Sequence, residues 1–190
     1  MKPLKCILAA TLPLFLAGCL TVDTIQTRIQ IREEGKPALL TITHLGFSSG
    51  EAKPGDVRKD FDHLISEWQG DEYLIARAKE GIVVRDRRVW EENGRINGSM
   101  TGLVEKIDGL YPFWERNGER ILLVECEEEF DLAETNGRIL KTENNRLIVW
   151  DAGEKVLSWT LRRNFESESI EKNRPRFARM FREYLRNPEN

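Results

Sequence analysis

Hydrophobic and polar positions alternate strictly near the start of the chain. Ile25, Thr27, Ile29 and Ile31 fall on one side, and Thr24, Gln26, Arg28, Gln30 and Arg32 on the other. A period of two with β-branched residues predicts a half-buried strand over 22–32. Glu33-Glu34-Gly35-Lys36 turns the chain, and 38–47 reads as the returning strand of a hairpin. Residues 47–55 carry Ser, Gly and Pro and predict a loop. From Asp56 the period changes. Val57, Phe61, Leu64, Ile65 and Trp68 share one helical face, with Asp56 placed to cap the start and Gly70 to end it. A shorter helix is expected over 71–80, stopped by Gly81, with Tyr73, Leu74 and Ile75 inward.

Beyond it the period of two returns. Segments 82–90 and 95–104 flank Asn93-Gly94, a strong hairpin signal. Residues 110–114 form an aromatic link, and Asn117-Gly118 is a turn. Further strands are predicted at 121–126, 130–135, 138–142, 147–151 and 155–162, the later ones connected at Asn136-Gly137, Asn144-Asn145 and Ala152-Gly153. Residues 166–173 predict a polar linker, Asn173 a helix cap, and Pro175 the first turn of a last helix. Phe177, Met180, Phe181, Tyr184 and Leu185 form one stripe of that helix, and Arg176, Arg179, Arg182 and Arg186 occupy the remainder. The class is α+β: an antiparallel β meander packed with an inserted helical segment and a C-terminal amphipathic helix.

The first residues follow a third pattern. Lys2 and Lys5 give a positive start, residues 7–16 are apolar apart from Thr11, and small residues follow. These are the three zones of a secretory signal peptide. About ten apolar residues are too few to span a bilayer, which needs roughly 20, and no later segment approaches 18. Leu16-Ala17-Gly18-Cys19 resembles the lipobox of bacterial lipoproteins. That resemblance implies a diacylglyceryl group on the Cys19 sulfur, cleavage between Gly18 and Cys19, and, in many Gram-negative bacteria, acylation of the new amine. Burial of acyl chains is worth about 0.8 kcal/mol per CH₂, and two chains or more anchor stably. Leu20 stands where an Asp would resemble an inner-membrane retention signal, so the periplasmic face of the outer membrane is the expected address. The first strand begins two or three residues after Cys19, a tether of about 10 Å at roughly 3.3 Å per residue. Residues 134–140 and 147–150, a turn, a strand, a second turn and a strand ending in Trp150, also resemble a segment of the LppM-like domains of bacterial envelope lipoproteins. No function follows from that likeness. The divisions are thus a signal peptide (1–18), a lipid-anchored α+β domain (19–165) and a linker with helix (166–190).

Loss of residues 1–18 from 190 leaves 172, enough for one well-packed domain. Lys2 and Lys5 leave with the signal, so 27 basic residues face 32 acidic ones, a net charge of −5. Nucleic acid, which needs a basic footprint, is a poor partner. Cys6 is discarded and Cys19 becomes a thioether, so Cys126 has no cysteine to pair with in the mature chain and reads as a small buried hydrophobe.

Candidate chemistry is sparse. His44 falls in a strand and His63 on the polar side of the first helix, and neither sits in a HExxH or His/Cys ligand spacing. Glu125, Glu127, Glu128, Glu129 and Asp131 are the densest acids, but they lack the alternating pattern of a Ca²⁺ loop and read as a solvated turn. Gly-rich phosphate loops are absent, and neither metal nor cofactor is expected. Among five Trp residues, packing explains Trp68, Trp90, Trp150 and Trp159, which leaves Trp114 as the candidate ligand contact. The arginine face at 176, 179, 182 and 186 can meet an anionic membrane or a partner, or face water while the apolar stripe docks on the sheet. The expected role is a non-catalytic binding or assembly module among envelope proteins. A carrier with an apolar cavity between sheet and helix is the alternative, and an envelope hydrolase the third.

Overall fold

The computed structural model describes residues 20–33, 35–125, 129–141, 145–165 and 167–187. A short strand that the alternation did not predict precedes the first alternating run. β1 (Leu20–Thr21) pairs Leu20 with Ser49, and after a break at Val22-Asp23 comes β2 (Thr24–Gln30). Ile25, Thr27 and Ile29 are buried, as the alternation requires. β3 (Ala38–Ser49) runs two residues past the expected end at Phe47, because β1 pairs with its last two residues and Ser48 and Ser49 are sealed beneath helix.

The helices begin where backbone chemistry allows. α1 (Pro54–Gln69) starts before Asp56: Lys53 is its N-cap, and Pro54 supplies a φ already set for a first turn. Asp56 lies within that turn and accepts a hydrogen bond from Lys59 at 2.7 Å. The five predicted apolar residues are all buried, and Gly70 closes the helix. α2 (Asp71–Lys79) buries Tyr73 and Arg77, which are four apart and share a face. Leu74 and Ile75, expected inward, are exposed, because Arg77 rather than an apolar neighbour fixes the rotation of this short helix.

β4 (Ile82–Glu92) and β5 (Arg95–Val104) form the predicted hairpin, with Asn93 and Gly94 at φ 52° and 74° as a tight turn with positive φ demands. The aromatic link is partly strand: β6 (Phe113–Arg116) turns at Asn117-Gly118 into β7 (Glu119–Glu125). β8 (Phe130–Thr135), β9 (Arg138–Lys141), β10 (Asn145–Asp151) and β11 (Val156–Arg163) follow. The fold is α+β, with every strand pairing antiparallel. The strands divide into two sheets, one ordered β4-β5-β3-β2-β11-β8 with β1 beside β3, the other β6-β7-β10-β9.

Asn136-Gly137 accordingly carries the chain from one sheet to the other and is no hairpin turn. Asn136 Oδ1 accepts hydrogen bonds from Trp150 Nε1 (2.8 Å) and the Ser158 amide (2.9 Å), while its Nδ2 donates to the Val156 carbonyl (2.7 Å). A Cβ at Gly137 would lie 2.6 Å from the Ile148 side chain, so the crossing fits only glycine.

α3 (Glu168–Arg186) overturns the expected linker. It begins at Glu168, Ser167 is its N-cap, and Pro175 sits inside it. Asn173, expected as a cap, is buried mid-helix, where its Nδ2 donates to the carbonyls of Ser49 (2.9 Å) and Glu51 (2.7 Å) at the end of β3. Those two bonds satisfy carbonyls at and just past the end of β3, and the tertiary contact outweighs the loss of an N–H at Pro175. Phe177 and Phe181 are buried, while Leu185 at the helix end is exposed.

One face of the large sheet is covered throughout. Under the helices, Trp68 meets Phe47 and Tyr73 at ring distances of 5.8 and 5.3 Å, and Phe61 meets Phe177 at 5.7 Å. Under the small sheet, Trp159 meets Tyr111 at 5.0 Å and Trp150 at 6.4 Å. The opposite face displays Thr24, Gln26, Arg28, Thr41 and Thr43 at or near the surface, with hydroxyl pairs Thr41–Thr101 (3.4 Å) and Thr43–Ser99 (3.2 Å) across strands.

Candidate functional site

Cys19 and Leu16-Ala17-Gly18 lie outside the described residues, as do Cys126, Glu127 and Glu128. The fold begins at Leu20, which is only 4% exposed and already paired with Ser49. A strand therefore starts at Leu20 itself, earlier than the two or three residues after Cys19 that the alternation predicts.

Beside that strand is a cleft of about 470 Å³, lined by Arg95 (β5), Arg162 and Arg163 (β11), Arg174 and Glu171 (α3), and Asp23. Four guanidinium groups face two carboxylates. Arg174 Nη2 donates to Asp23 Oδ1 at 2.6 Å and its Nη1 to Glu171, and Arg95 Nη1 lies 3.8 Å from Asp23 Oδ2. Arg163 Nη2 donates to the Val22 carbonyl at 2.6 Å, tying the end of β11 to the stretch joining β1 and β2. Its Nε and Nη1 find no hydrogen-bond partner among the described residues. The Phe130 and Phe165 rings lie 5.9 and 5.5 Å from that guanidinium, and burial lowers its pKa below the usual arginine value. α3 also opens here. The N–H groups of 168–170 precede the first helical acceptor, and the Ser167 side chain makes no capping bond to them.

The arginines picked out along α3 are dispersed. Arg176 Nη1 donates to Asn173 Oδ1 at 3.1 Å, Arg179 is 3.9 Å from Glu183, Arg182 pairs with Glu91 on β4, and Arg186 is exposed. Trp114 lies on β6, at the edge of the small sheet, and is 41% exposed. Its cross-strand neighbour is Ile121, which pairs in turn with Val149, while Leu123, Leu147 and Leu140 form the next row on the same face. Leu140 is 40% exposed. The outer face of the small sheet thus carries an apolar stripe from exposed Trp114 through half-buried Ile121, Leu123 and Leu147 to Leu140. The Arg138–Glu119 ion pair (2.8 Å) lies on the same face, where Val149 is buried. The opposite face, with Phe113, Leu122 and Ile148, joins the core.

The histidines do not meet. His44 is buried against Phe47 and Trp68, and burial, reinforced by Arg77, lowers its pKa to about 3. His63 pairs with Glu67 along α1 at 3.1 Å. Among the described residues, no three His, Cys, Asp or Glu converge to hold a metal, and no helix is long and apolar enough to cross a membrane.

No protein-family model and no curated protein matches this chain.

The cleft arginines went unseen in the sequence because they come from three separate elements. The one linear trace is Arg162-Arg163: two consecutive charges at a strand end must place one on the covered face.

Proposed function

We propose that this chain is an envelope lipoprotein, anchored by acyl chains on Cys19 at the periplasmic face of the outer membrane, and that it works there as a non-catalytic binding or assembly module. The lipobox resemblance supports the anchor, and the paired, buried Leu20 supports a domain held flush against its bilayer. One observation carries the binding role: the apolar stripe from Trp114 to Leu140, exposed at both ends beside the Arg138–Glu119 pair. Exposed apolar patches mark interaction sites. This one belongs to the small sheet, whose crossings at Asn136-Gly137 and Ala152-Gly153 lie at the end of the large sheet remote from Leu20. The 12 residues of β3 put roughly 40 Å between the two ends. A partner can therefore be met away from the lipid surface.

The space a carrier would need, between α1 and the sheet, is filled by Trp68, Phe61, Phe47 and Leu64. That favours the binding module. The experiment is twofold, in the native host. Mass spectrometry of the mature protein should find a diacylglyceryl Cys19, and Cys19→Ser should release the protein from membranes. A photo-crosslinking residue at 114 or 140 should give one discrete adduct, and the same residue at 28, on the polar sheet face, should not. An unmodified Cys19, or equal crosslinking from all three sites, overturns the reading.

A further inference from the structure

The cleft beside Leu20 is unlike the rest of the molecule. In a chain of net charge −3, it gathers four arginines around two carboxylates, and the uncapped start of α3 adds N–H donors and the positive end of a helix dipole. A guanidinium offers five donors in a fork that matches carboxylate and phosphate oxygens. Asp23 and Glu171 take up Arg174 and face Arg95, but Arg163 uses one donor on a backbone carbonyl and has two without a partner among the described residues. Arg162 lies 3.5 Å from the exposed Glu134. The four arginines outnumber the acids beside them, Asp23, Glu171 and, near Arg163, Glu129, and the cleft is open to solvent at a rim where Phe165 is 44% exposed.

We propose that this cleft binds a phosphate group, that of a membrane phospholipid, so that a headgroup as well as the acyl chains fixes the orientation of the domain. The lipid source rests on the anchored reading above: with Leu20 locked in the sheet, the cleft walls at Asp23 and Arg163 are held within a few residues of Cys19, at headgroup depth. Arg95 and Arg162 close on the phosphate from the rim, the 168–170 amides meet it from the helix, and Phe165 lies along the glycerol. The same chemistry serves a free phosphate, and the two sources separate experimentally.

The test uses the chain from residue 19 with Cys19→Ser, which retains every described element, titrated with dihexanoyl phosphatidylglycerol below its micelle concentration and, separately, with inorganic phosphate. The short lipid should bind saturably and at least about tenfold tighter than phosphate, weakening as salt rises. Arg163→Gln is a poor probe, because losing the bond to Val22 can unfold the end of the sheet. The rim pair Arg95→Gln/Arg162→Gln should weaken lipid binding about tenfold or more with the circular dichroism spectrum unchanged, while Arg179→Gln/Arg186→Gln, on the far part of α3, should leave it intact. Equal binding of phosphate and lipid overturns the lipid source. No saturable binding, or no change in the rim pair, overturns the site. Since the anchor is absent from this assay, failure of the cleft and failure of acylation at Cys19 are separate results.

Discussion

The two ends of the large sheet are closed by opposite chemistry. At the Leu20 end, Asp23, Arg163, Arg174 and Asn173 interlock through charge-assisted and amide hydrogen bonds, and most of them reach backbone carbonyls or each other across more than a hundred residues of sequence. At the other end, Tyr111, Phe113, Trp150 and Trp159 pack a second sheet against the first, with Asn136 hydrogen-bonded to both. Polar closure leaves donors over, and an open cleft. Apolar closure leaves an outward sheet face on which Trp114 and Leu140 stay exposed. Each end thus exposes the surplus of whatever seals it, and those two surpluses are the surfaces proposed for lipid and for partner.

The largest expected effect lies between the ends, at His44. Its pKa in the folded chain is about 3 against an ordinary 6.5, so between those values the unfolded chain binds a proton that the folded chain refuses. Stability is whole above pH 6.5 and falls by about 1.4 kcal/mol per pH unit as pH drops through that window. Asp60, whose pKa burial raises, has the opposite sign in the carboxylate range, so the His44 part is the difference between parent and His44→Gln in urea melts from pH 7 to 4. Equal pH slopes would falsify the assignment. Next, Trp159→Ala should cost about 3–5 kcal/mol, read as a lower urea midpoint, because it removes the ring that both sheets share. If the small sheet were only loosely attached, the loss would be under 1 kcal/mol and the contrast between the ends would fail.

Gly46→Ala should cost about 2–3 kcal/mol at the opposite end. Gly46 has φ 76°, and a Cβ there would overlap the Asp23 carboxylate. Its hydrogen-exchange signature should be confined to β1 and the Ser48–Ser49 amides, leaving the β7–β10 amides protected. Asn173→Ala should cost about 1–2 kcal/mol by orphaning the Ser49 and Glu51 carbonyls, again with exchange rising first at the end of β3. The smallest change is Trp114→Ser. On an edge strand and 41% exposed, Trp114 should matter by less than about 0.5 kcal/mol to stability, yet its loss should abolish the crosslink from position 140.

Where periodicity was strong, the chain was legible. The Val57–Trp68 stripe, the Asn93-Gly94 hairpin and the 130–135 strand are where alternation and turn chemistry put them, because each depends on neighbours within one element. Position 173 shows the limit. Asn-x-Pro has the local chemistry of a helix start, and only the carbonyls of Ser49 and Glu51, more than 120 residues away in sequence, make it the middle of a longer helix. Arg77 is similar: its charge predicts solvent, and the ion pair with Glu80 at 2.9 Å and the Tyr73 ring at 5.4 Å turn it inward in place of Leu74 and Ile75.

By itself, then, the sequence determined the α+β class, most strand and helix cores and the separate standing of Trp114, since these follow from spacing along one stretch of chain. Tertiary structure alone decided that the strands part into two sheets, that Asn136-Gly137 bridges them, and that arginines from β5, β11 and α3 close on one cleft beside Leu20. The physical reason is range. Periodicity and turn preference act over a few residues, whereas buried donors, carbonyls and charges are satisfied by whatever the fold brings near, at any separation in sequence.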